Sequence, residues 1–306
     1  MEDLSYSIEI TTSIGCKNLC AYCPQDSLIR SYPSRASRPE MRTLSADVFA
    51  RCLEHLPSGC RIYFSGFAEP WQHPRCTDLV ELASRLGFRV FIFSTAVGMS
   101  LDDVERLSRI ELAAPPTIHL PDDSHYTRIA VTDAYLDVLV ELGRAFPDAT
   151  YVCPTFEGER ANVHLRLQRW FPNGSDPRRS VHFDKAVGRA SQVSDRRVSP
   201  AIRHFGRLGL CFRVAGPVLL PSGDLVLCCA DYSMQHVLGN LLQDDLHTIL
   251  MGTEYAQVLR ALAQEDGAVL CRQCEYATPL ESSDHGVRER LVKLFFDRPE
   301  LLTLLP

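Results

Sequence analysis

The chain has 306 residues, of which 45% are hydrophobic and 23% charged, and a net charge of −6. This is the make-up of a globular protein with a substantial core. The acidic balance argues against a broad nucleic-acid footprint, and no membrane-length apolar run or signal-peptide profile is visible, so a cytoplasmic protein is expected. Twelve cysteines in that setting argue for metal ligation or catalysis rather than disulfides.

The first predicted strand, 6–12, runs into Gly15-Cys16-Lys17-Asn18-Leu19-Cys20-Ala21-Tyr22-Cys23-Pro24. Three cysteines at C-x3-C-x2-C spacing turn three thiolates toward one point. That is enough for three irons of a [4Fe–4S] cluster, with the fourth iron open to a small ligand. Structural zinc is the alternative, but zinc prefers four protein ligands, and the next cysteine, Cys52, falls in a predicted helix. The loop resembles the cluster loop of the radical S-adenosylmethionine (radical SAM) superfamily. The resemblance implies that the open iron binds the amino and carboxylate groups of SAM. One electron then cleaves SAM, and the 5′-deoxyadenosyl radical removes a hydrogen atom from the substrate. An electron donor such as flavodoxin or ferredoxin is implied with it.

Residues 27–42 are polar, lack periodicity and are read as a loop. From there strands at 61–65, 89–94, 117–120, 150–155 and 180–183 alternate with helices near 45–56, 75–86, 101–109, 133–145 and 161–170. Six such units predict an α/β fold, a partial (β/α)6 TIM-like barrel, with chemistry at the C-terminal strand ends. The second strand ends in Ser65-Gly66-Phe67-Ala68-Glu69-Pro70, which resembles the superfamily's GGEP motif and keeps Gly66, Glu69 and Pro70 of it. By that resemblance Ser65, Gly66 and Glu69 are cofactor-binding. Ser94 and Thr95 end the third strand, where polar groups meet the SAM ribose in relatives; a turn or helix cap is the plain alternative. His119 ends the fourth strand as a substrate contact, proton carrier or structural histidine. Gly188-Arg189-Ala190 resembles an arginine that reaches SAM or substrate in related enzymes, and a surface arginine is the alternative.

Residues 190–204 read as a linker, dividing a 1–200 barrel domain from a 201–306 C-terminal domain. In the second part, 218–220 and 225–229 predict a hairpin about Pro221-Ser222-Gly223. Alternation along a strand sends Cys228 and Cys229 to opposite faces. Cys211, Cys228, Cys271 and Cys274 supply four thiolates, enough for a second, fully ligated [4Fe–4S] cluster or for zinc. The step from Gly223 to Cys228, then Asp231, Gly239-Asn240-Leu241 and Cys271-Arg272-Gln273-Cys274, resembles the SPASM/twitch domain. Only enough cysteines remain for one auxiliary cluster, the shorter twitch form, in a small α+β iron–sulfur domain. The tail, 287–305, contains a helix with Leu291, Leu294 and Phe295 on one side.

Cys52, Cys60 and Cys76 are read as core residues. Cys153 and Cys229 are candidate hydrogen donors, as in radical SAM epimerases, with core filling the alternative for Cys153. The resemblance implies a radical SAM enzyme acting on a small carbohydrate-like substrate (aminocyclitol, aminoglycoside or sugar) by dehydrogenation or epimerisation. A barrel beginning at Tyr6 leaves no room for a leader-peptide-binding domain, which disfavours the alternative of a peptide maturase. A zinc-stabilised binding module without catalysis is the distant alternative.

Overall fold

The structure, a computed structural model, describes residues 6–123, 126–155, 162–171, 181–185, 189–193, 202–282, 284–295 and 299–305. Strands β1 (Ser7–Ile10), β2 (Arg61–Phe64), β3 (Arg89–Ser94), β4 (Thr117–His119), β5 (Thr150–Thr155) and β6 (Val181–Lys185) lie side by side in chain order, every pair parallel. Their register puts Ile8, Ile10, Ile62, Phe64, Val90, Ile92 and Ile118 on one face, all essentially inaccessible to water. Burying each such side chain is worth about 1.5–3 kcal/mol, so a one-residue slip of any strand would be strongly opposed.

Helices α1 (Gln25–Arg35), α2 (Ala46–Glu54), α3 (Cys76–Arg85), α4 (Leu101–Leu107) and α5 (Asp133–Ala145) fall between these strands. α2 to α5 cover that apolar face with stripes such as Val48, Phe49, Cys52 and Leu53 of α2. Their starts are set by sequence: Ser45 and Thr132 cap α2 and α5, and Ser100 with Asp103 forms a reciprocal capping box on α4. Cys52, Cys60 and Cys76 are buried in this core, as expected. The opposite, inner face of the sheet carries Glu9, Tyr63, Ser65, Phe91, Phe93, Thr117 and His119.

The sheet does not stop at β1. Strand β7 (Val218–Leu219) pairs parallel with it, and β8 (Asp224–Val226) and β9 (Val237–Asn240) follow antiparallel. The result is one open sheet in the order β6-β5-β4-β3-β2-β1-β7-β8-β9. The C-terminal strands therefore extend the first sheet rather than starting a second. Gly223, at φ +86°, turns the β7–β8 hairpin, where a Cβ would meet Asn240 Oδ1 at 2.7 Å. Asn240 donates to the Ser222 carbonyl and to Asp224, and Asp224 accepts from the Ser37 N–H. The Gly-Asn-Leu motif thus clamps the hairpin against the segment after α1. Helices α6 (Leu246–Leu250), α7 (Thr253–Ala263), α8 (His285–Leu294) and α9 (Pro299–Leu302) complete the C-terminal part.

Two expectations need correction. Residues 25–35, largely inside the predicted loop, form α1. Only Gln25, Leu28 and Tyr32 of it are buried, and Pro33 lies in its last turn, so no amphipathic stripe announces it. The helix expected at 161–170 is not there. Its described part makes a bridge between Val163 and Asp122 and a single 3-10 turn, Leu165–Leu167. The apolar residues 163, 165 and 167 repeat every second position, which is not a helical period. Most of the expected linker, residues 194–201, and Gly188 lie outside the described residues. No helix among the described residues is long and apolar enough to cross a membrane.

Candidate functional site

The cysteine loop leaves β1 at its C-terminal end. Thr11 and Thr12, both fully buried, anchor the exit: Thr11 accepts from the Phe67 N–H and Thr12 donates to the Pro70 carbonyl. Gly15 at φ +100° and Leu19 at φ +44° turn the chain, and Leu19 remains half exposed. Cys23 N–H closes onto the Cys20 carbonyl at 3.0 Å, while Ala21 and Asn18 tie the loop to residues 126–128. Cys16, Cys20 and Cys23 are all partly exposed, and each thiol is within electrostatic reach of the others. Burial pushes Cys16 up and Cys20 to about 12.

Neighbouring side chains reach these sulfurs: Gln72 Nε2 is 3.6 Å from Cys16, and Gln25 Nε2 and the Tyr232 hydroxyl are each 3.5 Å from Cys23. Among the described residues no three His, Cys, Asp or Glu side chains are gathered tightly enough for one metal ion. Sulfurs on a single tetrahedral zinc, each about 2.3 Å from it, crowd within about 4 Å of one another. The thiolates of a cube each bind a different iron and stand wider apart. Three mutually coupled thiols delivered by one loop match the three protein ligands of a cube with one open iron.

The strand-end motif behind the loop turns inward on itself. Gly66, at φ +48°, abuts β1: a Cβ there would lie 2.4 Å from the Ile10 carbonyl oxygen and 2.6 Å from Thr11 Oγ1. The close approach that glycine permits is thus to the chain's own backbone. Glu69, fully buried, accepts from Ser94 Oγ (2.5 Å), Thr95 N–H and Oγ1 (2.6 Å each) and the Trp71 N–H (3.2 Å). Burial raises its pKa even against these four donors. The predicted cofactor contacts Glu69, Ser94 and Thr95 are therefore brought together, with their hydroxyls aimed at the carboxylate. The network continues from Thr95 through Asn18 to Gln72 and so to Cys16. Ser65 instead faces the inner side and donates to Glu9 at 2.8 Å.

The second thiol set has a different setting. Cys211, Cys228, Cys271 and Cys274 line one cavity of about 430 Å³. Most of its other walls are apolar, from residues such as Leu208, Val214, Leu262 and Leu270. Burial raises the thiols of Cys228 and Cys271, and Cys274 to about 11. Such groups stay protonated until a metal displaces the proton. A set of four sulfur donors, with Cys228 and Cys274 buried and Cys211 and Cys271 partly exposed, fits a fully ligated iron–sulfur cluster.

Cys229 points the other way. Arg213 Nη1 donates to its sulfur at 2.7 Å, Arg189 Nη1 is 3.8 Å away, and Glu9 is within reach. Burial, then Glu9, raises this thiol to about 11 despite the two guanidiniums. Arg189 is also within electrostatic reach of Cys23 and Tyr232, so it stands between Cys23 and Cys229. Cys153 is corrected: it shares the face of Tyr151 and Ile118, sits at 0% exposure in the helix-covered core and does not look into the inner face. Burial raises it to about 12, and core filling is its role.

Several residues of the site escaped the sequence reading. Arg272, between the last two cysteines, is buried and donates to the carbonyls of Gly267, His204, Gly206, Ala261 and Gln264. Its place inside the C-R-Q-C step was the available signal. Arg213, stacked on Phe212 and Tyr276 at 4.6 and 4.2 Å, borders both the cavity and Cys229. Asp231, which the sequence resemblance already named, accepts from the Gln235 and His236 N–H groups and shapes the loop after Cys229.

Residues 202–275 match the sequence profile of SPASM, an iron–sulfur cluster-binding domain. Three solved structures align over most of the chain. BtrN in complex with AdoMet and 2-DOIA has TM-score 0.52 and 14% identity, covering 90% of this chain and 94% of BtrN. Native anSMEcpe with bound AdoMet and the Cp18Cys peptide has TM-score 0.55 and 12% identity, covering 97% and 98%. Streptococcus suis SuiB bound to precursor peptide SuiA has TM-score 0.57 and 10% identity, covering 88% of this chain and 69% of SuiB. Residues 202–275 thus resemble a SPASM domain, and the chain shares the fold of these three proteins. No curated protein sequence matches it. The open sheet agrees with the partial barrel expected of this fold, and the SPASM match falls on the four-thiol cavity and the hairpin that delivers Cys228.

Proposed function

We propose that the chain is a radical SAM enzyme. Cys16, Cys20 and Cys23 would hold the SAM-binding [4Fe–4S] cluster, and Cys211, Cys228, Cys271 and Cys274 one auxiliary [4Fe–4S] cluster. With SAM bound, the first of these supplies a carbon-centred radical able to remove a hydrogen atom from a substrate carbon. The observation that carries the reading is the pairing of three coupled, partly exposed thiols at the C-terminal end of β1 with a mostly apolar pocket lined by four thiols in the SPASM region.

The chain's own residues then have separable tasks. Glu69 locks Ser94, Thr95 and the turn at Trp71 so that the strand ends beside the loop keep one geometry. Gln25 and Gln72 place polar hydrogens against the sulfurs of Cys23 and Cys16, and the Tyr232 hydroxyl accepts from Cys23 Sγ. Phe67 and Tyr232, with ring centroids 4.3 Å apart, pack beside Cys23 and Cys229 and exclude water from between the two sets.

The substrate proposed is a small carbohydrate-like molecule, an aminocyclitol, aminoglycoside or sugar, undergoing dehydrogenation or epimerisation. BtrN, whose fold the chain shares, binds 2-DOIA. Cys229 makes inversion chemically available, because a thiol near the inner face can return a hydrogen atom to a substrate radical. Peptide maturation is the second reading, favoured by the comparable fit to SuiB with its precursor peptide. The test is anaerobic reconstitution, then incubation with SAM and reductant against aminocyclitols, aminoglycosides and peptides. Formation of 5′-deoxyadenosine is read by mass, and the product is examined for loss of two hydrogens or inversion of one centre. Absence of both iron–sulfur absorbance near ~400 nm and 5′-deoxyadenosine would refute the reading. In heavy water, Cys229→Ala abolishes inversion and solvent label if this thiol is the donor.

A further inference from the structure

On the inner face of the sheet, Glu9 stands in register with Tyr63 of β2 and, through it, with Phe91 of β3. The two flanking residues of β1, Ile8 and Ile10, are fully buried in the helix-covered core, so Glu9 is the β1 side chain that looks inward. It is half-buried. Its Oε2 accepts from Ser65 Oγ at 2.8 Å, and it lies within reach of the Cys229 thiol. Neither neighbour carries positive charge, and among the described residues no Lys, Arg or His comes within ion-pair distance of it.

The nearby guanidiniums have other demands on them. Arg213 borders the four-thiol cavity and Arg189 lies in the field of Cys23, so each faces sulfurs that become anionic on metal binding. The carboxylate of Glu9 is left over. A half-buried carboxylate with no cation beside it can take one brought in from outside.

Beside Glu9 the same face presents an aromatic wall. Tyr63 and Phe91 stack face to face, with centroids 4.6 Å apart and planes at 14°, and Phe93 continues the row 6.0 Å from Tyr63. Phe93 is 36% exposed. Rings stacked on one another turn their edges to the inner space, an apolar surface against which the C–H bonds of a saturated ring can pack. A carboxylate flanking such a wall favours ring compounds bearing a positive group.

We propose that Glu9 is the binding residue for a protonated primary amine carried on a hydroxylated ring, which packs against the edges of Tyr63, Phe91 and Phe93, with Ser65 orienting the carboxylate. This deepens the substrate reading given above and rests on it. The site would discriminate an aminocyclitol from its all-hydroxyl counterpart by charge, while the aromatic wall packs against the ring.

The test is calorimetric binding to the reconstituted holoprotein with SAM, using streptamine and scyllo-inositol, which differ by two amino groups in place of hydroxyls. Streptamine should bind the wild type at least tenfold tighter than scyllo-inositol. Glu9→Gln should weaken streptamine about 30-fold and leave scyllo-inositol unchanged, Glu9→Asp should recover part of the loss, and Ser65→Ala should cost a few-fold. Phe93→Ala should weaken both compounds alike. Equal affinity of the wild type for the two compounds, no binding of either, or an unchanged streptamine affinity in Glu9→Gln would each overturn the proposal. So would tighter binding of a lysine-containing hexapeptide than of streptamine, which would move the amine from a ring to a side chain. Reductive SAM cleavage without substrate and iron content are measured alongside. Their retention with no amine selectivity sinks this inference alone, whereas their absence in the wild type sinks the underlying reading. Should Glu9→Gln lose its clusters, the Glu9→Asp and Ser65→Ala series decides the outcome.

Discussion

Cys16, Cys20 and Cys23 come from one loop, are partly exposed, and depend for their geometry on local turns at Gly15 and Leu19. Cys211, Cys228, Cys271 and Cys274 come from three separate segments and meet in an apolar cavity that long-range contacts have to build. A cluster that must admit a ligand needs an open, local frame that tolerates access. One whose irons are all capped by protein can be sealed, and sealing ties metal to the fold of a whole region. The N-terminal set is therefore expected to be dispensable for stability and indispensable for chemistry, and the C-terminal set to weigh on both.

The largest effect that would break this comparison is at Arg272. Arg272→Met leaves five carbonyls, those of Gly267 and Ala261 in buried hydrogen bonds, without their donor while keeping the side-chain volume. A loss of about 3–5 kcal/mol is expected, with the iron content falling from about eight toward about four per chain. Thermal unfolding and iron analysis check it. Next come the cysteines themselves. Cys20→Ala should abolish 5′-deoxyadenosine formation and about half of the ~400 nm absorbance, with little change in Tm, whereas Cys271→Ala should lower Tm as well. Equal Tm losses in the two variants would dissolve the distinction.

A smaller effect is expected at His73, in the first region's frame. Its Nε2 is 2.9 Å from the Leu44 carbonyl and its Nδ1 accepts from the Arg75 N–H, which together define the neutral ring. Burial lowers its pKa below the ordinary 6.5. The unfolded chain then binds the proton more readily than the folded one. This contribution to stability is complete above about pH 6.5 and is lost as pH falls through the lowered native value. His73→Asn should flatten that part of the Tm-against-pH curve. The smallest effect is at Asp78, whose carboxyl Arg106 and Arg75 hold below the usual range on a partly exposed surface. Asp78→Asn should cost no more than about 1 kcal/mol, less at high salt.

What could be read beforehand divides along the same line. The six parallel strands were legible because Ile8/Ile10, Ile62/Phe64 and Val90/Ile92 alternate with inward residues, and burial of one face leaves a single register. α1 was not legible, since three buried side chains and an internal Pro33 give no helical signature. What holds it is the contact of Leu28 and Tyr32 with Val218 and Val226, more than 180 residues away. The opposite orientation of Cys228 and Cys229 followed from strand alternation, but which one meets the other cysteines did not. Cys153 reads the same in sequence whether it faces helices or the inner side.

Residue spacing by itself determined the local constellation: C-x3-C-x2-C in one loop, the Gly66/Glu69/Pro70 strand end, and the four later cysteines as a set. Such features depend on bonds and turns within a few residues, where geometry is nearly independent of the rest of the chain. The tertiary structure alone decided that β7 joins β1, so that one sheet carries Glu9 on its inner face within reach of Cys229. It also decided that Arg189 lies between Cys23 and Cys229. These are matters of pairing and burial between distant segments, and pairing is settled by which faces exclude water together, a property no single segment contains.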